Sequence, residues 1–404
     1  MQIQKKKTIS LEKAQSLIRQ YVRPLEATNL PLPESLHCKM AKDLCAEINH
    51  PSFPRSPYDG YAFAAEDSKA ASQEMPVELR IVGVSYAGKP YDSEITSGQA
   101  VQIMTGGCIP KGADCVIMQE ETKEEQGKLI IYKTLSHHEN YIPMGEDFTK
   151  GTLLIKKGEI ITSAVASVAA SAGCTELYCV RPIRAAVLST GDELKKPGET
   201  LGAGQIYDSN RIFMYARLKE LGISAVAAES VGDKLEVLTQ SFKQALKTAD
   251  ILITTGGVSV GQRDLVPNAL DQLGAEIIFH GVKIKPGMPA MFALLDGKPI
   301  LSLSGNPFAA AVSFEVLVRP ALSVLSENER LLAKEVTARL KYDFNKKSKV
   351  RRFLRAALTN GEVMVADAQG NGQMRSMVGC NCLVEITAGS NTLAAGTQVK
   401  VLLL

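Results

Sequence analysis

Glycine residues follow an apolar segment in the second half of the chain, where Ile251–Thr255 runs directly into Gly256 and Gly257. Ser259 and Gly261 come soon after. Glycine lets a backbone approach a ligand closely, and free N–H groups at the start of a helix bind phosphate. A tight turn from strand to helix without any ligand explains the same run equally well. Taken alone, the run leaves phosphate binding and a plain turn open.

Two further apolar segments end in groups of similar chemistry. One ends just before Asp192 and Glu193, and the other ends at Ser304, Gly305 and Asn306. The strand ends of one sheet meet at one edge, which would then present glycines, hydroxyls and carboxylates together. Carboxylates repel a bound phosphate unless a cation lies between them. The combination therefore predicts Mg²⁺, which takes one or two carboxylates together with phosphate oxygens.

Other charged residues are candidates for the same site. Asp233 and Asp264 could join the carboxylates, although Asp233 is placed at least as well to cap a helix. Lys285 lies in a basic, turn-rich segment that could neutralise an anion, and an exposed hairpin is the more common use of such a segment. Arg355 closes a run of six positive charges in ten residues, which is typical of an exposed face and could also bind an oxyanion.

Three segments in the first half are rich in turn residues and present polar side chains. Three prolines stiffen the approach to Asp59 and Tyr61, so this loop resembles a rigid, presented tip more than a linker. Thr105 lies in a Thr-Gly-Gly turn, and Asp147 ends a Gly-Glu-Asp turn. Each segment by itself is more typical of a structural turn than of a site.

Hydrophobic patterning predicts the elements that position these residues. From Arg184 onwards, short apolar strands alternate with helical patterns, which is typical of a mostly parallel, doubly wound α/β sheet. Such sheets bind ligands at the carboxyl ends of their strands. The predicted strands are Ala185–Ser189, Ser224–Ala228, Asp250–Thr254, Glu276–Phe279 and Pro299–Leu303.

The distribution of apolar, Gly, Pro and charged residues outside this α/β region predicts three further modules. Short apolar runs between Gly, Pro and charged clusters predict a β-rich insert domain at 51–144. It is flanked by the two parts of a small helical and mixed N-terminal domain, 1–50 and 145–180. The α/β domain is predicted at 181–330, and alternating residues predict a C-terminal β-barrel-like domain at 331–404.

Composition argues against several classes of protein. The 404 residues carry 46 basic and 43 acidic side chains, and aromatic residues make up only 5% with no Trp. We therefore expect neither general electrostatic binding of nucleic acid nor a stacking surface for single strands. No apolar run follows Lys5–Lys7 and no span was identified, so we expect neither a signal peptide nor a membrane segment. The eight cysteines form no C-x-x-C pair, which indicates reduced thiols in a cytoplasmic protein.

Seven short motifs occur in one order along nearly the whole chain. Together they resemble the signature of the molybdopterin molybdenumtransferases, the family of MoeA and the gephyrin E domain. The motifs are Ser-Pro-Tyr-Asp-Gly-Tyr-Ala, Met-Thr-Gly-Gly-x-x-Pro-x-Gly-Ala-Asp, Gly-Glu-Asp, Ser-Thr-Gly-Asp-Glu-Leu, Thr-Thr-Gly-Gly-Val-Ser-Val-Gly, Lys-Pro-Gly-Met-Pro and Gly-Asn-Pro. A run of seven motifs in one order makes the resemblance specific.

The resemblance implies an activity and its partners. The activity is the last step of molybdenum cofactor synthesis, in which adenylylated molybdopterin releases AMP and receives molybdate with the help of Mg²⁺. A homodimer with its site between subunits is implied, and the molybdopterin adenylyltransferase is a further expected partner. Two other functions stay open. One is the molybdopterin adenylyltransferase itself, which is usually the α/β domain alone, and the other is a non-catalytic scaffold of the gephyrin type.

The resemblance also implies roles for individual residues. Glu193 and Asp264 are expected to hold the metal or the phosphoanhydride, and Lys285, Arg355 and Ser376 are expected to contact molybdate. The implied catalytic residues are Asp59, Thr105, Asp147, Glu193, Asp233 and Asp264. The implied cofactor-binding residues are Gly256, Gly257, Ser259, Gly261, Lys285, Gly305, Asn306, Arg355 and Ser376.

Two positions depart from the family pattern. Ser304 stands where proline is usual, which keeps the turn but loses the fixed φ of proline. Met288 stands where many bacterial members carry lysine, which puts a polar contact from this position in doubt. Neither departure is expected to change the fold.

Overall fold

The chain divides into two compact units. The computed structural model describes residues 8–258 and 265–404. The first unit contains the described residues up to Leu30, together with His37–Lys39 and Tyr178–Leu404. The second unit contains Pro31–Leu36 and Met40–Leu177. This division does not test the boundaries of the four predicted modules, which stay a prediction.

The first helix, α1 (Leu11–Tyr21), begins directly after Ser10. The Ser10 side chain accepts a hydrogen bond from the Lys13 amide at 3.2 Å and so caps the helix. One face of α1, including Ala14 and Ile18, is buried in the main core of the first unit. The next element is β1 (Ala27–Pro31).

The second unit is mostly β. Its elements are β2 (Leu44–Cys45), β3 (Gly60–Phe63), β4 (Val77–Ser85), β5 (Gln99–Ile103), β6 (Cys115–Met118), β7 (Thr122–Glu125), β8 (Lys128–Ile131), β9 (Leu153–Ile155) and α2 (Ser163–Ser171). Six strands form one sheet in the order β6-β3-β5-β4-β8-β7. This sheet buries Phe63, Ile117 and Leu129 completely. The predicted β-rich insert is confirmed.

The α/β region of the first unit follows the predicted alternation. Its elements are β10 (Glu176–Val180), β11 (Arg184–Thr190), β12 (Leu194–Lys195), β13 (Ile206–Tyr207), α3 (Ser209–Glu220), β14 (Ser224–Val231), α4 (Leu235–Thr248), β15 (Ile251–Thr255), α5 (Val266–Gln272), β16 (Glu276–His280), β17 (Ile284–Lys285), β18 (Met291–Leu295), β19 (Lys298–Leu303), α6 (Pro307–Ser313) and α7 (Arg319–Ser326). The main sheet has the order β14-β11-β15-β19-β18-β16, and its first four strands are parallel. Separate apolar cores cover the two faces. The doubly wound α/β fold is therefore confirmed.

One strand of this sheet is missing from the sequence prediction. Strand β18 runs antiparallel to both β19 and β16. Asp296 and Gly297 join β18 to β19 and have φ of +50° and +76°. An Asp-Gly pair between two apolar runs is a hairpin signal because both residues tolerate positive φ. The Asp-Gly pair therefore indicated a β-hairpin, whereas a simple alternation of strands and helices does not predict one.

Helix α6, a π-helical turn at Phe314–Val318 and α7 form one continuous segment. Over Pro307–Ser326 this segment is long and apolar enough to cross a membrane, the one such helix in the part of the chain that the structure describes. Its most apolar window is 94% buried inside the protein. The segment therefore forms the central helix of the α/β core.

The last part of the chain forms a small closed barrel. Its strands are β20 (Glu335–Leu340), β21 (Arg351–Thr359), β22 (Glu362–Val365), β23 (Cys382–Ile386) and β24 (Gln398–Leu403). They pair in the order β21-β22-β20-β24-β23, and β23 pairs back to β21. The interior is aliphatic, with Leu354, Val384 and Val401 buried. The predicted C-terminal β-barrel is confirmed.

A buried carboxylate fixes the central helix to its neighbours. Glu315 is 2% exposed. It accepts from Nε of Arg217 in α3 at 3.0 Å and from an Nη of Arg319 at 2.7 Å. Arg319 also donates to the carbonyl oxygens of Leu331 and Leu332, ahead of the barrel. One side chain thus connects α3, the central helix and the segment that leads into the barrel.

Removing this carboxylate tests its contribution to stability. We expect Glu315→Ala to lower the free energy of unfolding by about 3–5 kcal/mol, because it leaves the buried Arg319 without its carboxylate and removes one of the two carboxylates that pair with Arg217. Glu220→Ala is the control, because Glu220 pairs with the same Arg217 at 2.6 Å while its side chain is 60% exposed. That variant should change stability by less than about 1 kcal/mol. Urea unfolding measures both, and equal losses would contradict the assignment.

Candidate functional site

The loops after β11 and β15 close against each other at Thr190. Gly256 has φ of +92°, and a Cβ on it would lie 2.3 Å from the Thr190 carbonyl oxygen. Gly257 has φ of +57°, and its Cβ would lie 2.9 Å from Oγ1 of Thr190. A side chain suits neither the space nor the backbone conformation, so both positions require glycine.

The turn after β19 lies against the same glycines. A Cβ on Gly305 would be 3.4 Å from the Cα of Gly256. The side chain of Asn210, at the start of α3, donates to the Gly305 carbonyl oxygen at 2.8 Å. Asn306 precedes Pro307, which is the first residue of α6. The turn therefore brings backbone groups to the start of a helix, where proteins bind anions.

The ends of four parallel strands thus form one edge. We call this edge the strand-end rim, which consists of residues 190–193, 232–233, 256–257 and 304–306. It contains the predicted residues Glu193, Asp233 and Gly256 together with the turn around Gly305. The structure therefore brings together the strand-end residues that the sequence predicted to share one site.

The carboxylates of the rim differ in their contacts. Asp192 Oδ1 accepts from the Asp233 amide at 2.9 Å, and Asp233 Oδ1 accepts from Thr190 Oγ1 at 3.1 Å. The Glu193 carboxylate lies over Gly191, where a Cβ would come within 2.7 Å of its oxygens. Asp192 and Asp233 therefore hold the rim together, and Glu193 presents its carboxylate at the surface.

The helix-cap explanation for Asp233 is wrong. Helix α4 starts at Leu235 with Lys234 at the N-cap position and no side-chain cap. The Asp233 side chain instead bonds to Thr190 across the rim. Asp233 therefore accepts a hydrogen bond from Thr190 and does not cap α4.

A loop of the barrel reaches the start of α6. The Asn371 carbonyl oxygen accepts from the Phe308 amide at 3.0 Å. Arg355 is fully buried, lies 4.1 Å over the Phe308 ring, and donates to the carbonyl oxygens of Gly370 and Gln373 at 2.8 and 2.6 Å. Burial lowers the pKa of the Arg355 guanidinium below its ordinary value. These contacts favour a bracing role for Arg355, and its predicted contact with molybdate stays a prediction.

The other predicted molybdate ligands lie on or near the barrel. The Ser376 hydroxyl donates to the Gln373 carbonyl oxygen at 2.7 Å, in the same loop that Arg355 holds. Lys285 is exposed on β17, which pairs with β21 at Arg351 and Arg352. Ser376 therefore shares a loop with the Arg355 contacts, and Lys285 adds a positive charge on the strand beside β21.

Asp59 and Thr105 meet within the second unit. Asp59 Oδ1 accepts from the Thr105 amide at 2.6 Å and from its hydroxyl at 2.8 Å. These bonds, the amide first, hold the pKa of Asp59 below its ordinary value. Asp147 is also exposed in this unit, and its amide donates to the His50 carbonyl oxygen at 3.0 Å. Two residues with an implied catalytic role, Asp59 and Thr105, are therefore in direct contact, and their role stays a prediction.

Three predicted site residues lie outside the described ranges, and three residues in or near the rim were not predicted. The predicted Ser259, Gly261 and Asp264 lie outside the described residues. Asn210 and Asp208 were not predicted, although Asp-Ser-Asn directly before a helical pattern is a capping signal. The role of Thr190 had no local signal beyond its place at the end of an apolar strand.

Comparisons with known proteins agree along the whole chain. The models of the MoeA N-terminal region (domain I and II), a probable molybdopterin binding domain and the MoeA C-terminal region (domain IV) match residues 9–173, 186–324 and 337–404. The molybdopterin molybdenumtransferase of Staphylococcus epidermidis is 35% identical over 100% of this chain and 97% of its own length. The corresponding protein of Staphylococcus aureus is 33% identical over the same shares.

Solved structures agree with the sequence comparisons. A molybdopterin biosynthesis MoeA protein from Pyrococcus horikosii has a TM-score of 0.81 and 30% identity, covering 98% of this chain and 99% of that chain. A second MoeA structure, from Pyrococcus horikoshii OT3, has a TM-score of 0.74 and 26% identity, covering 98% and 100%. The similarity therefore extends over the complete length of both proteins.

A glycine substitution tests the close contact at Thr190. We expect Gly256→Ala to lower the free energy of unfolding by about 3 kcal/mol or more, because alanine adds strain at positive φ and a collision with the Thr190 carbonyl. Gly274→Ala is the matched control, because Gly274 also has positive φ and nothing lies within 4 Å of its Cβ position. It should cost about 1 kcal/mol. Similar losses in urea unfolding would argue against the contact.

The hydroxyl of Thr105 offers a test by titration. We expect Thr105→Val to raise the pKa of Asp59 part of the way to its ordinary value, because the stronger bond from the backbone amide remains. A depressed pKa means that the stabilisation from Asp59 is present above its unfolded pKa and is lost as the pH falls through the folded value. Carboxyl ¹³C NMR measures this pKa. Thr122→Val, whose hydroxyl bonds only to the Gln119 carbonyl, is the control. An unchanged pKa in Thr105→Val would contradict the assignment.

Proposed function

This chain belongs to the molybdopterin molybdenumtransferase family, and we propose that it inserts molybdate into adenylylated molybdopterin with release of AMP. The family match covers the complete chain. The observation that carries the proposal is the strand-end rim, where two glycine turns and the start of α6 lie beside exposed carboxylates. This is the chemistry needed to hold a phosphorylated substrate together with a cation.

The residues of the rim and those on or near the barrel have different proposed roles in binding. Gly256, Gly257, Gly305 and Asn306 are the proposed phosphate-binding residues, because the two turns that they form lie at the strand ends beside the start of α6. The Gly256 amide itself donates to the Leu303 carbonyl oxygen at 3.1 Å. Lys285 and Ser376 supply a charge and a hydroxyl for the tetrahedral molybdate dianion. Arg355 holds the loop that carries Ser376. Catalysis by these residues rests on positioning and charge stabilisation.

Mg²⁺ fits this donor set when it arrives with the substrate. No group of three or more His, Cys, Asp or Glu among residues 8–258 and 265–404 could hold a metal unaided. Mg²⁺ needs only one or two carboxylates with phosphate oxygens, and the exposed Glu193 supplies one of them. Asp264 is the second carboxylate of the proposal. When bound, the ion would neutralise charge on the phosphoanhydride.

The proposed function also includes an oligomeric state, a partner protein and a cellular location. We propose a homodimer in which Asp59, Thr105 and Asp147 complete the site of the other subunit. The molybdopterin adenylyltransferase, which would supply the adenylylated substrate, is the proposed partner protein, and the proposed location is cytoplasmic. The family match supports the dimer and the partner protein, and the free cysteines support the location.

An assay of the purified protein tests the proposed reaction. Given adenylylated molybdopterin, molybdate and Mg²⁺, it should release AMP without ATP. A requirement for ATP together with formation of the adenylate would identify an adenylyltransferase instead. Lack of any turnover, combined with binding of partner peptides, would support the scaffold function.

Glu193→Gln tests the metal-binding carboxylate. We expect AMP release to fall about 10²-fold and the Mg²⁺ concentration for half-maximal rate to rise, because one electrostatic stabiliser of the phosphoanhydride is removed. Glu199→Gln, at an exposed carboxylate in the loop that follows β12, should keep the normal rate. Unchanged cofactor synthesis in cells that carry Glu193→Gln would count against a catalytic role.

A further inference from the structure

Asp208 is a buried carboxylate that collects donors from three elements. It is 1% exposed. Its Oδ1 accepts from the Arg211 amide at 3.1 Å and so caps α3. Its Oδ2 accepts from the Ser189 hydroxyl, from the Ser230 hydroxyl at 2.6 Å, and from Nε of Arg211 at 3.1 Å. Four donors and one positive charge offset the cost of burying this carboxylate.

The bonded residues stand directly before the strand-end rim. Ser189 and Ser230 are the penultimate residues of β11 and β14. Each is followed by one strand residue and then by a rim loop, 191–193 or 232–233. Ser189 and Ser230 lie opposite each other on these paired strands, so Asp208 links the two strands directly before the loops that carry Glu193 and Asp233.

The third connection runs through α3. The cap at Asp208 orients the first turn of this helix, where Asn210 donates to the Gly305 carbonyl oxygen at 2.8 Å. Arg211 adds a bond to the Ala228 carbonyl oxygen in β14 at 3.3 Å. The same carboxylate thus controls the contact between α3 and the turn that precedes α6.

We infer that Asp208 is a positioning residue, which sets the mutual placement of three rim loops without touching the substrate. The effect on turnover rests on the proposed function, whereas the placement of the loops does not. The carboxylate accepts at both of its oxygens, so it satisfies the Arg211 amide on one side and the two serine hydroxyls with Nε of Arg211 on the other. An asparagine has one carbonyl oxygen and one NH₂ group, so it can accept from only one of these two sets, and the loss of the negative charge weakens the bonds that remain.

The experiment compares four variants by amide hydrogen exchange and by steady-state AMP release. Asp208→Asn should raise exchange at least tenfold in 190–193, 209–212 and 231–233. Ser189→Ala should affect only the first segment, and Ser230→Ala only the last. Asp250→Asn is the matched control, because Asp250 is a buried carboxylate bonded to Arg181 at the other end of the sheet. It should leave the three segments unchanged.

The kinetic result separates positioning from general destabilisation. Asp208→Asn should lower kcat about 10- to 100-fold with less than a threefold change in KM, because misplaced loops lose transition-state contacts. A uniform rise in exchange, or a normal kcat with loosened loops in an otherwise active enzyme, would overturn the inference. The serine variants decide the matter if Asp208→Asn does not fold. A wild-type protein that releases no AMP would refute the proposed function, and the exchange pattern alone would then decide whether Asp208 places the loops.

Discussion

The turn at Gly256 and Gly257 closes against one residue, Thr190, and the arrangement of the strand-end rim depends on how closely it does so. The Thr190 carbonyl lies where a Cβ on Gly256 would have to be, and its hydroxyl lies beside Gly257 and bonds to Asp233. Gly305 then lies against Gly256. Side chains at the glycine positions would therefore move the turns apart.

Several carboxylates lie in or behind the rim, near the contact between Thr190 and Gly256. Asp192 and Asp233 each accept one bond from within the rim, and Asp208 behind them is buried and accepts four. Glu193 stands apart at the surface. On the barrel side, the contacts of Arg355 are carbonyl oxygens and an aromatic ring. The rim therefore carries negative charge, whereas the barrel loop that contacts the start of α6 surrounds a buried cation stabilised without a carboxylate.

Local sequence signals predicted much of this arrangement. The apolar strands, the glycine turns after them and Ser10 at the start of α1 each obey short-range rules, so their positions could be read directly. The hairpin at Asp296 and the cap at Asp208 also had local signals, which the βαβ pattern obscured.

The burial of Arg355, in contrast, could not be predicted from the residues next to it in the sequence. A run of positive charges normally lies on an exposed face, and the contacts that bury this one come from Phe308 and a loop distant in sequence. Thr190 acquires its role in the same way, from turns more than 60 residues further along the chain. Such long-range contacts depend on the complete fold.

The bond between Asn371 and the Phe308 amide affects how far the barrel and the α/β region can evolve separately. One of the first N–H groups of α6 is satisfied by the barrel loop, and the Phe308 ring is covered by Arg355. A chimaera that takes its barrel from a relative would inherit a loop shaped for that relative's helix. Exchange between family members should therefore succeed only when Phe308, Arg355 and 369–373 are transferred as a set.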